Sequence, residues 1–211
     1  MNTKNLLIVG ATGGTGRQLV KQALEQNQTV TAFVRNPAKL GLEHKNLSIL
    51  QGDVTDFEAV KRAVKNCDAV LSALGAPAKV KDNVRSIGTR NIIRAMEETG
   101  VQRFICMTTL GIGDSREILP FYFKYLIVPL ILKEAFADSE RQENLIMQSR
   151  LNWTIVRPAN LTDGARTGTY QHGFAATAKT KLKISRADVA DFMLKQLNDD
   201  NYLRKTPGIS Y

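Results

Sequence analysis

Gly10-Ala11-Thr12-Gly13-Gly14-Thr15-Gly16 is the stretch on which the reading of this chain turns. Before it runs Leu6-Leu7-Ile8-Val9, an apolar run with a β-branched end, stopped by glycine as a short buried strand would be. After it, Leu19, Val20, Ala23 and Leu24 fall on one stripe of helical period. The glycines therefore sit at a strand-to-helix turn. Such a turn lets the backbone approach a pyrophosphate, and the free N–H groups and positive dipole end of the helix face the anion. A tight turn alone accounts for one glycine and not three. Gly10, Thr12, Gly13, Gly14, Thr15 and Gly16 are accordingly assigned to nucleotide binding.

Outward from this turn, strand-like and helix-like stretches alternate. Apolar, β-branched runs at 29–34, 47–50, 68–73, 103–108 and 153–156 predict strands. Helices are expected after a cap at Thr55 or Asp56, over 84–99 with Gly100 as the stop, up to about Ser149, and from Ser185 to Leu197. A short strand is expected at the end of the chain. Repeated βα units predict the α/β class: a doubly wound parallel sheet with helices on both faces, a Rossmann fold, with ligands at the carboxyl ends of the strands. One domain over residues 1–211 is expected, with a small substrate-side region from about 110–135 and 157–184. Residues 111–135 show no strand period, and the apolar run 121–132 is expected as core, ahead of a ligand wall or a partner surface.

Composition narrows the partners. A chain of 211 residues that is 43% hydrophobic can bury one sizeable core. The net charge of +9, from 29 basic and 20 acidic residues, is spread rather than clustered, which fits anionic small molecules and not nucleic acid. The apolar run 125–132 is far short of a membrane span, and no window has a basic segment followed by a signal-type apolar run, so export is not expected. Cys67 and Cys106 lack metal-ligand spacing and read as buried free thiols, so a reduced cytoplasmic protein is expected. No metal site and no nucleophile–base constellation is visible. A monomer is expected, without membrane contact, with a protein partner left open.

The strand ends carry the candidate chemistry. A fold of this type that is specific for NAD ends its second strand in a carboxylate; here that place holds Arg35, with Lys39 close behind, which suits a 2′-phosphate and so NADPH. Asp53, with Val54, is placed to orient the adenine, or Asp53 simply forms a turn with Gly52. Leu74-Gly75 is expected to bring backbone against the cofactor. Thr108 and Thr109 supply the hydroxyls nearest the reacting end, and Arg157-Pro158 ends the last long strand. His44 reads as solvent-facing, and His172 as loop.

Taken together, the 10–16 turn, Val34-Arg35, Gly52-Asp53-Val54, Leu74-Gly75, Val156-Arg157-Pro158 and Asp188-Val189-Ala190 resemble the atypical short-chain dehydrogenase/reductases. The branch is the compact NAD(P)-binding one that includes NmrA-like proteins and NADPH-dependent flavin reductases of the biliverdin reductase B type. The resemblance implies NADPH (NADP+) as cofactor and places Arg157 and Pro158 beside it. The Tyr-x-x-x-Lys pair of most active short-chain dehydrogenases is absent: neither Tyr122 nor Tyr125 has a lysine at the fourth place. The resemblance therefore implies hydride transfer to a flat conjugated acceptor, a flavin or a linear tetrapyrrole, with Thr109 carrying the family's hydroxyl. Ala159 or Asn160 replaces the histidine of that branch. Arg157 and Arg166 are candidates for drawing in flavin phosphate or bilin propionates. The alternative the resemblance implies is a non-catalytic NADP(H) sensor that binds another protein.

Overall fold

Alternation within the first strand explains the layering. In β1 (Asn5–Val9), Leu6 and Ile8 point to one core and Leu7 and Val9 to the other, so the strand is buried on both faces. The computed structural model describes residues 3–75, 83–174 and 180–211. In chain order the elements are β1, α1 (Gly14–Glu25), β2 (Thr29–Val34), β3 (Leu47–Gln51), α2 (Phe57–Val64), β4 (Ala69–Ser72), α3 (Val84–Thr99) and β5 (Arg103–Met107). A 3₁₀ segment, Gly113–Ile118, and a π-helical segment, Phe123–Leu132, lead into α4 (Lys133–Gln148). There follow β6 (Asn152–Pro158), β7 (Asn160–Thr162), β8 (Gln171–His172), β9 (Lys183–Ser185), α5 (Arg186–Lys195) and β10 (Gly208–Ser210).

The main sheet has the order β3-β2-β1-β4-β5-β6-β10-β8. Leu6 pairs with Val30 of β2 on one side and with Ala69 of β4 on the other, both parallel. The chain thus winds one way from β1 and then the other, and the 10–16 turn lies at the switch point where such sheets bind ligands. Helices α1 and α5 cover one face over Leu19, Val20, Val189 and Met193; α2, α3 and α4 cover the other over Val60, Ile92, Met96 and Ile146.

Local signals act where they were expected. Asp56 caps α2 by accepting from the Glu58 and Ala59 amides, and Gly100 ends α3 at φ +79°. Ser185 caps α5 through the Asp188 amide. Cys67 and Cys106 are free thiols; burial pushes Cys67 up to about 12 and Cys106 up as well. Three departures stand out. The edge strand β8 runs antiparallel to β10, so the sheet is not wholly parallel. A separate two-stranded sheet, β7 with β9, stands beside it. The 121–132 run is not core: no residue of Phe123–Leu132 is buried, because its inner face borders an open cavity rather than packed sheet.

Candidate active site

The loop after β1 is built for close approach. Gly10 has φ +78°, and a Cβ there would stand 2.5 Å from the Ala73 carbonyl oxygen. A Cβ on Gly16 would stand 2.1 Å from the Gly10 carbonyl oxygen, so this glycine serves the packing of α1 on its own loop. Gly13 differs: its nearest neighbour would be the Gly10 oxygen at 3.3 Å, so its missing side chain leaves space on the outer side of the loop. With no side-chain cap on α1, the first amides of the helix remain for an external anion.

From this loop a groove of about 770 Å³ runs along the strand ends. It brings together Gly10, Thr12, Gly13, Gly14, Thr15, Arg35, Lys39, Val54, Leu74, Gly75, Thr108 and Thr109, out of sequence stretches far apart in the chain. Arg35 and Lys39 are exposed at one end, and Arg17 reaches over to donate to the Lys39 carbonyl. The cradle of small residues fits a pyrophosphate, and the basic end fits a further phosphate, so the residues present suit a dinucleotide. Asp53 is not part of the wall. Its Oδ1 accepts from the amide (2.8 Å) and hydroxyl (2.7 Å) of Thr55, which holds the carboxyl below its usual range and leaves Gly52 and Val54 facing the groove.

A second cavity, about 580 Å³, adjoins the first and shares Thr108, Thr109, Leu161 and Arg186 with it. Its walls are largely apolar and aromatic: Leu119, Tyr122, Phe123, Ile127, Phe136 and Leu182 among them. Pro158 lies here and not in the dinucleotide groove. Both volumes fall in the range of small-molecule sites. The π-helical segment supplies Phe123 and Ile127 from its inner face. Its outer face and the residues just before it carry Phe121, Tyr125, Leu126, Leu130 and Ile131, all exposed, with Phe121 at 77% and Leu130 at 79%; Tyr122 is exposed at the cavity itself.

Arg157 does not face either cavity. It is 3% exposed, with Nε 2.9 Å and Nη2 2.6 Å from the two carboxylate oxygens of Glu143, itself 2% exposed, and Nη1 on Asp114. A guanidinium neutralised in this way has nothing left for an anionic acceptor or cofactor, which corrects both expected roles. Glu143 also accepts from Thr108 Oγ1 at 2.7 Å. Arg166 likewise pairs away from the cavities, with Gln22 and Glu25. His172 Nδ1 sits 2.7 Å from Tyr202 Oη within an aromatic cluster, and His44 accepts from the Asn46 amide. Among the described residues no three His, Cys, Asp or Glu are placed to hold a metal, and no helix is long and apolar enough to cross a membrane.

Arg186 is the residue that sequence reading passed over. It opens α5, lies across Gly14, pairs with Asp163 at 2.6 Å and borders both cavities. Its only sequence signal was a place beside a helix cap. Asp188 fastens the neighbouring loop, accepting from the Thr167 and Gly168 amides and from the hydroxyls of Thr167, Ser185 and Tyr211.

The comparisons with known proteins agree with this geometry. The family described as NAD(P)H-binding matches residues 10–200. The photosystem II assembly factor Ycf39 of Synechocystis sp. is 29% identical over 214 residues, covering 95% of this chain and 60% of Ycf39. The chain thus spans about 60% of the length of that relative. Reductase pytE of Aspergillus terreus is 26% identical over 258 residues, covering 96% of each chain. Among solved structures, ChuY, an anaerobilin reductase from Escherichia coli O157:H7, shares the fold with a TM-score of 0.80 at 24% identity, over 98% of this chain and 96% of ChuY. With the glycine turn at the switch point of a Rossmann sheet and a family match over almost the whole length, the chain belongs to the NAD(P)H-binding family.

Proposed function

We propose that the chain is a cytoplasmic NADPH-dependent reductase of a flat, conjugated acceptor, with FMN, FAD and biliverdin as the candidate acceptors. One observation carries this reading: the dinucleotide groove and an apolar, aromatic-walled cavity meet at Thr108 and Thr109. When bound, NADPH would supply a hydride, two electrons with one proton, and solvent the second proton. The chain's task is to hold the reactants face to face, and positioning of this kind can lower a barrier by about 7–11 kcal/mol without a dedicated acid. Gly10, Thr12, Gly13, Gly14 and Thr15 hold the pyrophosphate, and Arg35 and Lys39 hold the 2′-phosphate. Val54, Leu74 and Gly75 line the dinucleotide between them. Thr109, with its hydroxyl making only a 3.3 Å contact to the Leu110 carbonyl, orders a water or polar group at the junction. The acceptor side is formed by 110–135 and 157–184, of which 175–179 lie outside the described residues.

Steady-state NADPH oxidation with each acceptor, at low and high salt, tests the proposal. Acceptor-dependent turnover is expected; NADPH binding without turnover on any of them would overturn it. A second reading, a non-catalytic NADP(H) sensor, is favoured by the exposed apolar outer face around Phe121, Tyr125 and Leu130, which would then take a protein partner.

A further inference from the structure

We infer that Thr108 is a fixed hydrogen-bond acceptor in the wall shared by the two cavities, and that the site recognises a ligand N–H group there. The identity of the ligands rests on the reductase reading; the direction of the hydrogen bond does not. Glu143 is gripped by two nitrogens of Arg157, and both side chains are buried, so the pair is a buried ion pair. A carboxylate has lone pairs and no proton to give. The 2.7 Å contact between Thr108 Oγ1 and Glu143 Oε1 therefore consumes the only hydrogen of the threonine hydroxyl. What remains on Oγ1 is its two lone pairs. A ligand carbonyl placed against it would meet lone pair with lone pair, whereas an N–H finds an acceptor held in one direction. Thr109, next to it, has no such partner and can turn its hydroxyl either way. The shared wall thus combines one adaptable hydroxyl with one whose polarity is set from beneath by a charge pair.

Two sources carry the required N–H: the carboxamide of the nicotinamide, and an imide or lactam N–H on the acceptor ring. Both are separated by binding measurements on the full chain and on Thr108→Val and Thr108→Ser variants. Valine keeps the volume, and Glu143 Oε1 keeps its bond from Arg157 Nε, so a folded protein with a lowered melting temperature is expected. In the cofactor arm, NADP+ is compared by calorimetry with its 3-acetylpyridine analogue, in which methyl replaces the amide nitrogen. In the acceptor arm, lumiflavin is compared with 3-methyllumiflavin by fluorescence quenching on NADP+-saturated protein. In one arm the unmodified protein and Thr108→Ser should prefer the N–H compound by roughly 10-fold, and Thr108→Val should lose that preference. That arm names the source. No preference in either arm, or a preference that survives in Thr108→Val, would overturn the inference. Because both arms read binding, a protein that reduces no acceptor still decides it.

Discussion

The two cavities that meet at Thr108 and Thr109 are built by opposite means. The dinucleotide groove starts from backbone: Gly10 and Gly16 bring a loop, a strand end and a helix start together, and side chains such as Phe33, Val54, Leu74 and Arg35 line the groove beyond that loop. The second cavity is mostly side chain, hung on a π-helical segment and on the short β7–β9 sheet. A site made of backbone tolerates few residue types at each position and so leaves a mark in the sequence. A site made of apolar side chains accepts many, and its ligand is correspondingly harder to read.

Glycine substitutions should break this contrast most sharply. Gly16→Val drives a side chain into the Gly10 carbonyl, and we expect destabilisation of about 3 kcal/mol or more, seen as a lowered melting temperature, with NADPH binding lost. Gly13→Val should keep the fold, since its Cβ meets nothing closer than 3.3 Å, yet weaken NADPH by roughly 100-fold or more by filling the pyrophosphate space. Equal affinity in Gly13→Val and the unmodified chain would remove the nucleotide from this loop. At the basic end, a charge-assisted pair is worth about 1.5–3 kcal/mol, so Arg35→Ala should lose a preference for NADPH over NADH of roughly 10- to 150-fold, with NADH affinity little changed. Indifference between the two cofactors in the unmodified protein would contradict this. The smallest effect is expected where the cavities meet. Thr109→Val should slow turnover by less than the roughly 10²–10⁴-fold typical of a lost general acid, and a larger loss would make Thr109 a proton donor in its own right.

The fold was legible because its signals are local and repeated: β-branched runs, Asp56 and Ser185 as caps, Gly100 as a stop. So was most of the groove, from Gly10 to Gly75. The failures have physical causes. Arg157 looked available because nothing in its own stretch shows that Glu143, on α4, takes the Nε–Nη2 edge of its guanidinium and Asp114 takes Nη1. Asp53 sat in the right place along the chain, but Thr55, two residues on, claims its carboxyl. Arg186 was missed for the converse reason: it meets Gly14 only once α5 packs on α1. The 121–132 run is apolar on every side, so periodicity could not separate the face toward the cavity from the face toward the outside. In the structure Tyr125, Leu126, Pro129, Leu130 and Ile131 of the π-helical segment are exposed, whereas Phe123 and Ile127 border the cavity.

The central claim, that one cavity presents NADPH to an acceptor in the other, is tested most directly in a single turnover without oxygen. Protein loaded with NADPH is mixed with FMN or biliverdin, and loss of NADPH and reduction of the acceptor are followed together, with ordinary NADPH and with NADPH deuterated at C4. The account predicts one acceptor reduced for each NADPH consumed, and a slower reaction with the deuterated cofactor. NADPH that stays bound and unconsumed whichever acceptor is added would contradict it.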